Sequence, residues 1–131
     1  MIPIRLEIQG LYSYREKQVI DFDKLTAAGL FGIFGAVGSG KSSILEGVLL
    51  ALYGSTERLS DRGEKNSMIN LQSESLTISF QFRSGQNNQF LYLARYAAKR
   101  NKKEWEKVDP AEHTFYQDKG GAWEPDRKSV V

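Results

Sequence analysis

One stretch limits what this chain can fold into more than any other: Gly35-Ala36-Val37-Gly38-Ser39-Gly40-Lys41-Ser42. A glycine, four free positions and then Gly-Lys-Ser is the pattern of a loop that wraps phosphate. Glycines let the backbone curl so that successive N–H groups point inward as an anion-binding nest. A helix starting at the end of the loop adds its unpaired N–H groups and the positive end of its dipole at the same place. In that arrangement Lys41 reaches the β- and γ-phosphates of a nucleoside triphosphate, and the Ser42 hydroxyl is offered to Mg²⁺. The pattern carries weight only between a strand and a helix, so the flanks must supply both.

They do. Gly29-Leu30-Phe31-Gly32-Ile33-Phe34 is a short apolar run of the kind a buried strand shows. After the loop, Ile44, Leu45, Val48, Leu49 and Leu52 recur at helical spacing, which predicts an amphipathic helix, and Gly54 stands where a helix C-terminal glycine belongs. Further towards the N-terminus, Ile4, Leu6 and Ile8 alternate with Arg5, Glu7 and Gln9 as a half-buried strand. Gly10 breaks it, a polar, tyrosine-bearing turn covers residues 11–17, and Gln18-Val19-Ile20-Asp21-Phe22 is expected to return antiparallel to the first strand.

Beyond Gly54, residues 55–72 form a long polar stretch of loop character. Leu76, Ile78, Phe80 and Phe82 then alternate with Thr77, Ser79, Gln81 and Arg83. Turn chemistry at Ser84-Gly85-Gln86-Asn87-Asn88 joins this strand to a returning one over 90–96. A third strand is expected at 113–116, with Asp118-Lys119-Gly120-Gly121 turning the chain toward Trp123. The expectation is one domain over residues 1–131, α/β in class: a phosphate-loop strand and helix flanked by an antiparallel β-meander.

Composition acts mainly by exclusion. With no cysteine there are no disulfides and no thiolate metal sites, which fits a reducing cytoplasm. The N-terminus lacks the basic-then-apolar layout of a signal peptide. Lys41 and Glu46 interrupt the longest apolar stretch well short of the ~18 residues of a membrane span, so no membrane partner is expected. A net charge of +2 says little, but its distribution says more. Lys99, Arg100, Lys102 and Lys103 form a basic run that could track a DNA phosphate backbone. The alternative is a solvated hairpin tip whose Trp105 packs against the sheet. His113, the only histidine, reads as structural, because a metal or triad role would need partners that are absent.

The order of these pieces resembles one family. The N-terminal strand, the loop Gly10-Leu11-Tyr12-Ser13-Tyr14-Arg15, Ile20-Asp21-Phe22, the early phosphate loop, and its continuation through Lys41-Ser42-Ser43-Ile44-Leu45-Glu46-Gly47 and Ala51-Leu52-Tyr53-Gly54 are similar to the SbcC family. These are SMC-like ATPases of DNA double-strand-break repair. The resemblance implies the N-terminal lobe of a P-loop NTPase head of the ABC/SMC-like type, ending before the Q-loop and the coiled coil. It implies ATP and Mg²⁺ as cofactors. As partners it implies the C-terminal lobe of the same head, a second copy in an ATP-dependent head dimer, an SbcD-like nuclease and DNA. It also implies a cytoplasmic, nucleoid-associated protein.

Carried over residue by residue, Gly35, Val37, Gly38, Ser39, Gly40, Lys41, Ser42 and Ser43 would hold the phosphates. Lys41 would also be the catalytic cation, Ser42 the metal ligand, and Ser43 a neighbour of the α-phosphate. Ser13 matches a position near the nucleotide, and Ser67, Met68 and Ile69 fall where lid residues approach base and ribose. The chain departs from the family pattern at Val37, where many relatives have asparagine, and at Tyr12, where some have arginine. Arg15 is a candidate to supply that charge. The departures bear on the adenine side more than on the phosphates.

Hydrolysis needs an acid to hold Mg²⁺ and a group to orient the attacking water. No apolar run after the phosphate loop ends in Asp or Glu, since Leu76 to Phe82 runs into Arg83. Gln72, Gln81 and Gln117 lack the surroundings of a metal-sensing glutamine. The expectation is a chain that binds ATP and hydrolyses it only with the C-terminal lobe and head dimerisation. A GTPase is a poor fit: Asp118-Lys119-Gly120-Gly121 and Asn101-Lys102-Lys103-Glu104 mimic its motifs in reversed order, with Glu where a base-reading Asp is needed. The alternative kept open is the nucleotide-binding subunit of an ABC-type transporter, with Tyr12 or Tyr14 stacked on adenine.

Overall fold

The computed structural model of the chain describes residues 1–12, 14–22, 41–54 and 69–126, and for residues 41–43 the backbone alone. The expected strand at 29–34, the glycine loop itself and residues 55–68 of the polar stretch lie outside the described residues. Alternating sequence becomes alternating burial. Strand β1 (Ile2–Gln9) buries Leu6 and Ile8, and strand β3 (Ser75–Ser84) buries Leu76, Ile78, Phe80 and Phe82. Strand β4 (Phe90–Lys99) buries Ala94, Tyr96 and Ala98. Successive strand side chains point to opposite faces, so each strand gives one row to a core and one to the other face.

With β2 (Gln18–Asp21), β5 (Glu112–Lys119) and β6 (Ala122–Pro125), the described strands form a six-stranded sheet in the order β2-β1-β3-β4-β5-β6. Each neighbouring pair is antiparallel. Leu6 stands opposite Ile20 on one side and Phe80 on the other, Phe80 opposite Ala94, and Ala94 opposite Phe115. The expected hairpin, the return of β2 and the third strand with its turn are all present. The β3–β4 turn depends on residues that tolerate positive φ: Gly85 at 87°, Asn87 at 58° and Asn88 at 52°.

The helix α1 (Lys41–Tyr53) lies on the core face, against β3 and β4. It contributes Leu50, Ala51 and Leu52 to the buried cluster, with Ile44 and Val48 packed at its margin. Phe80 and Phe82 stack at 5.4 Å between ring centroids, and Phe22 meets Phe80 edge-on at 6.3 Å. Leu11 and Ile69, which the sequence placed in a polar turn and a polar stretch, are fully buried opposite each other in an antiparallel bridge. They close the core beside α1.

Candidate functional site

The site is assembled around the start of α1. Its first residue is Lys41, directly after the glycines of the phosphate motif in sequence, and the backbone of Lys41, Ser42 and Ser43 is already helical. The first turn of a helix leaves N–H groups without intrahelical partners and carries the positive dipole end. The sheet fixes where that end points. Gly47 is buried against β1, where a Cβ would stand 3.0 Å from Ile8 Cδ1 and 3.7 Å from Leu11 Cδ2. The missing side chain lets helix and strand approach closely.

The other end of α1 is held as firmly. Gly54 takes φ +75°, and its N–H donates to Leu50 O at 2.9 Å, the left-handed termination that favours glycine. His113 of β5 brings Nε2 to 2.7 Å from Ala51 O, one of the last helix carbonyls. A carbonyl only accepts, so Nε2 carries the proton in this contact. His113 is thus a cap that ties helix to sheet, in keeping with the structural role read from its isolation in sequence.

The turn after β1 forms the next wall. Gly10 N donates to Tyr14 O at 2.7 Å and Tyr14 N to Leu11 O at 2.8 Å. Tyr12, at φ +49°, hydrogen-bonds through its hydroxyl to Glu46 on α1. Asn70 anchors the same turn from the far side: its N–H donates to Gly10 O and its Nδ2 to Tyr12 O, both at 2.7 Å. Ser13 is outside the described residues, but Tyr12 and Tyr14 on either side of it are partly buried against the core. Nothing in the local sequence singled out Asn70, because the turn it anchors is 58 residues away in the chain.

Of the candidate nucleotide residues, Gly35, Val37, Gly38, Ser39, Gly40, Ser13, Ser67 and Met68 lie outside the described residues, and Lys41, Ser42 and Ser43 are placed by backbone only. Ile69 is described: its side chain is in the core, and its carbonyl accepts a hydrogen bond from Arg100. Among the described residues no group of three or more His, Asp or Glu is arranged to hold a metal ion, and no helix is long and apolar enough to cross a membrane.

Arg100 corrects the reading of the basic run. It was expected among the DNA contacts, yet it is 5% exposed and points inward. Its Nε donates to Ser73 O at 2.9 Å, Nη1 to Trp105 O at 3.0 Å, and Nη2 to Ile69 O and Asn70 O at 3.1 and 3.2 Å. The planar fork suits this job because it presents five fixed donors to converging carbonyls. Trp105 lies against the guanidinium, with Arg100 Cζ 4.8 Å from its ring centroid. Lys99, Lys102 and Lys103 remain exposed.

One buried polar group stays apart from these networks. The Tyr96 hydroxyl has no hydrogen-bond partner among the described residues, and burial pushes its pKa above the ordinary 10.0 by penalising the phenolate.

Comparison with known proteins follows the same lines. The chain matches the AAA domain family over residues 5–121. The SbcC component of the SbcCD nuclease of Bacillus subtilis is 47% identical over 100 residues, covering 76% of this chain and 9% of that protein. Its counterpart in Clostridium acetobutylicum is 42% identical over 103 residues, covering 79% and 8%. A Rad50 ATPase of Aquifex aeolicus, named for DNA double-strand break repair, is 38% identical over 80 residues, covering 54% and 8%. The chain therefore spans less than a tenth of the length of these relatives. The family match takes in the phosphate motif, α1 and the strands that seat it. The chain belongs to the AAA domain family, and its likeness within that family is to the SbcC-type ATPases.

Proposed function

We propose that this chain is the ATP-binding N-terminal lobe of an SbcC-type ATPase that acts in DNA double-strand-break repair beside a nuclease partner. The observation that carries the reading is the seating of α1. A helix opening at Lys41 of a phosphate motif is packed at Gly47 against β1 and capped by Gly54 and His113, in a chain whose residues 5–121 match the AAA domain family. The names of the relatives, nuclease components and a break-repair ATPase, favour this reading over the transporter one.

In this proposal Gly35 and Val37 to Ser43 wrap the triphosphate, Lys41 neutralises the β- and γ-phosphates, and the Ser42 hydroxyl is the protein's ligand to Mg²⁺. Ser13 would lie near the nucleotide and Ser67 and Met68 would approach the base and ribose, whereas Ile69, 1% exposed and with its carbonyl taken by Arg100, is not available to them. The Tyr12–Glu46 and Asn70–Tyr12 contacts hold that side in register with α1. A bound Mg²⁺ would supply charge neutralisation for phosphoryl transfer, while the chain's own residues position the helix and its N–H groups. The catalytic acid comes from a C-terminal lobe, and two copies of the head close over two nucleotides. Lys99, Lys102 and Lys103 offer exposed charge to DNA phosphates, and the protein works in the cytoplasm on the nucleoid.

The composite site is tested by phosphate release. The chain alone with ATP and Mg²⁺ is expected to show no appreciable turnover, and addition of a C-terminal lobe in trans is expected to restore it. Robust turnover by the chain alone, abolished by Lys41→Ala, would place a complete catalytic centre within these residues and overturn the split-site reading.

A further inference from the structure

Beside the β4–β5 tip lies a half-open cavity of about 540 Å³, lined by Glu74, Ser75, Lys99, Arg100, Asn101, Lys102 and Trp105. That volume lies within the ~300–1,000 Å³ of small-ligand clefts. We propose that this cavity takes an unpaired nucleobase of a DNA strand, stacked on the Trp105 ring, with the adjoining phosphate between Lys99 and Lys102. The inference rests on the DNA-repair reading and goes beyond backbone tracking by the basic run.

Three observations carry it. Trp105 lines this cleft, carries the Arg100 guanidinium over its ring and is still 48% exposed, so part of its surface is within reach of a ligand. A guanidinium on one face and a base on the other is a sandwich that single-strand binding sites use.

The tip is also braced by its own hydrogen bonds. Asn101 Oδ1 accepts from Lys103 N at 2.9 Å and Glu104 N at 3.1 Å, and Asn101 Nδ2 donates to Asp109 Oδ1 at 3.0 Å. Asn101 N donates to Lys107 O at 2.8 Å and Asp109 N to Lys99 O at 2.9 Å. With Arg100 Nη1 on the Trp105 carbonyl, the tip holds its aromatic ring in place, so little ordering entropy is lost on binding.

The wall chemistry is graded as well. Lys99, Lys102 and the Arg100 guanidinium carry positive charge, with the two lysines exposed, and Glu74 is the carboxylate among the described lining residues. A carboxylate accepts from an exocyclic amino group and repels a phosphate, so it orients base toward Glu74 and backbone toward the lysines. A paired base stays in its stack and cannot enter.

Fluorescence excited selectively at tryptophan tests this directly, because the chain has two tryptophans and Trp123→Phe leaves Trp105 as the only one. The probes are a 5′-hydroxyl oligodeoxycytidylate and a blunt duplex of equal length. The single strand is expected to quench Trp105 emission and the duplex to leave it within a few per cent. By anisotropy, Trp105→Leu should weaken single-strand binding roughly ten-fold, with Trp105→Phe in between and duplex affinity changed less than about two-fold. Circular dichroism on each variant checks that the sheet is intact. Single-strand binding with silent Trp105 emission, or equal losses for both DNAs, would overturn the cavity proposal while leaving DNA binding itself in place. Absence of binding to either DNA would overturn the DNA-repair reading along with it.

Discussion

Arg100 donates from Nη1 to the carbonyl oxygen of Trp105 at 3.0 Å and sets its guanidinium carbon 4.8 Å from the centroid of the same residue's ring. The other donors of the fork reach Ser73, Ile69 and Asn70. One side chain therefore joins the tip that carries the exposed lysines to the segment that braces the turn around Tyr12. Arg100→Ala would leave four buried or half-buried carbonyls short of a donor and is expected to cost about 3 kcal/mol or more. Arg100→Lys keeps the charge but not the fork and should recover less than half of that. Urea unfolding followed by circular dichroism reads both. An Arg100→Ala chain as stable as the parent would show that the fork is not what holds these segments.

Gly10 sits at φ +81°, and a Cβ there would lie 2.1 Å from the backbone oxygen of Ser75. No rotamer relieves a clash between two backbones. Gly10 O also accepts from Asn70 N, so any retreat of this turn loosens the Asn70 anchor. Gly10→Ala is expected to destabilise the chain by more than about 2 kcal/mol. Thermal unfolding checks it, and an unchanged midpoint would contradict the close packing of the turn on β3.

Tyr96 supplies the pH dependence. Its pKa is raised in the folded chain above the ordinary 10.0 because burial disfavours the phenolate. The unfolded chain then releases this proton first. The associated stability is fully present below pH 10 and falls as pH rises through the unfolded value toward the folded one. Tyr96→Phe removes both this pH dependence and a buried hydroxyl without a hydrogen-bond partner among the described residues. At pH 7 it should leave stability unchanged or raise it by up to about 1 kcal/mol. Above pH 10 the variant should lose stability less steeply than the parent, which parallel denaturant titrations at pH 7 and 10.5 would read.

Much of the sheet was legible because two-residue alternation is a direct record of which face is buried. Leu76-Ile78-Phe80-Phe82 and Ile4-Leu6-Ile8 needed no tertiary information. The helix was legible from the spacing of Ile44 to Leu52 and from Gly54, but its buried face was not: Leu45 is 47% exposed, while Leu50 and Ala51, outside that stripe, are fully buried. What escaped was set by long-range contacts. Leu11 and Ile69 bury each other across a gap of many residues, and each sits among polar neighbours. Arg100 was grouped by charge with Lys99, Lys102 and Lys103. The buried row of β4, Ala94-Tyr96-Ala98, continues by the same period to Arg100 and leaves Lys99 outward. Strand parity carried the signal that charge counting hid.

The proposed function requires Lys41 to meet the phosphates of a nucleotide, so the most direct measurement is titration of the chain with a fluorescent ATP analogue and Mg²⁺, alongside Lys41→Ala. The parent is expected to bind weakly, as half of a composite site, and Lys41→Ala to bind at least about ten-fold less tightly. Equal binding by the two chains would contradict the phosphate-loop assignment and the proposed function with it.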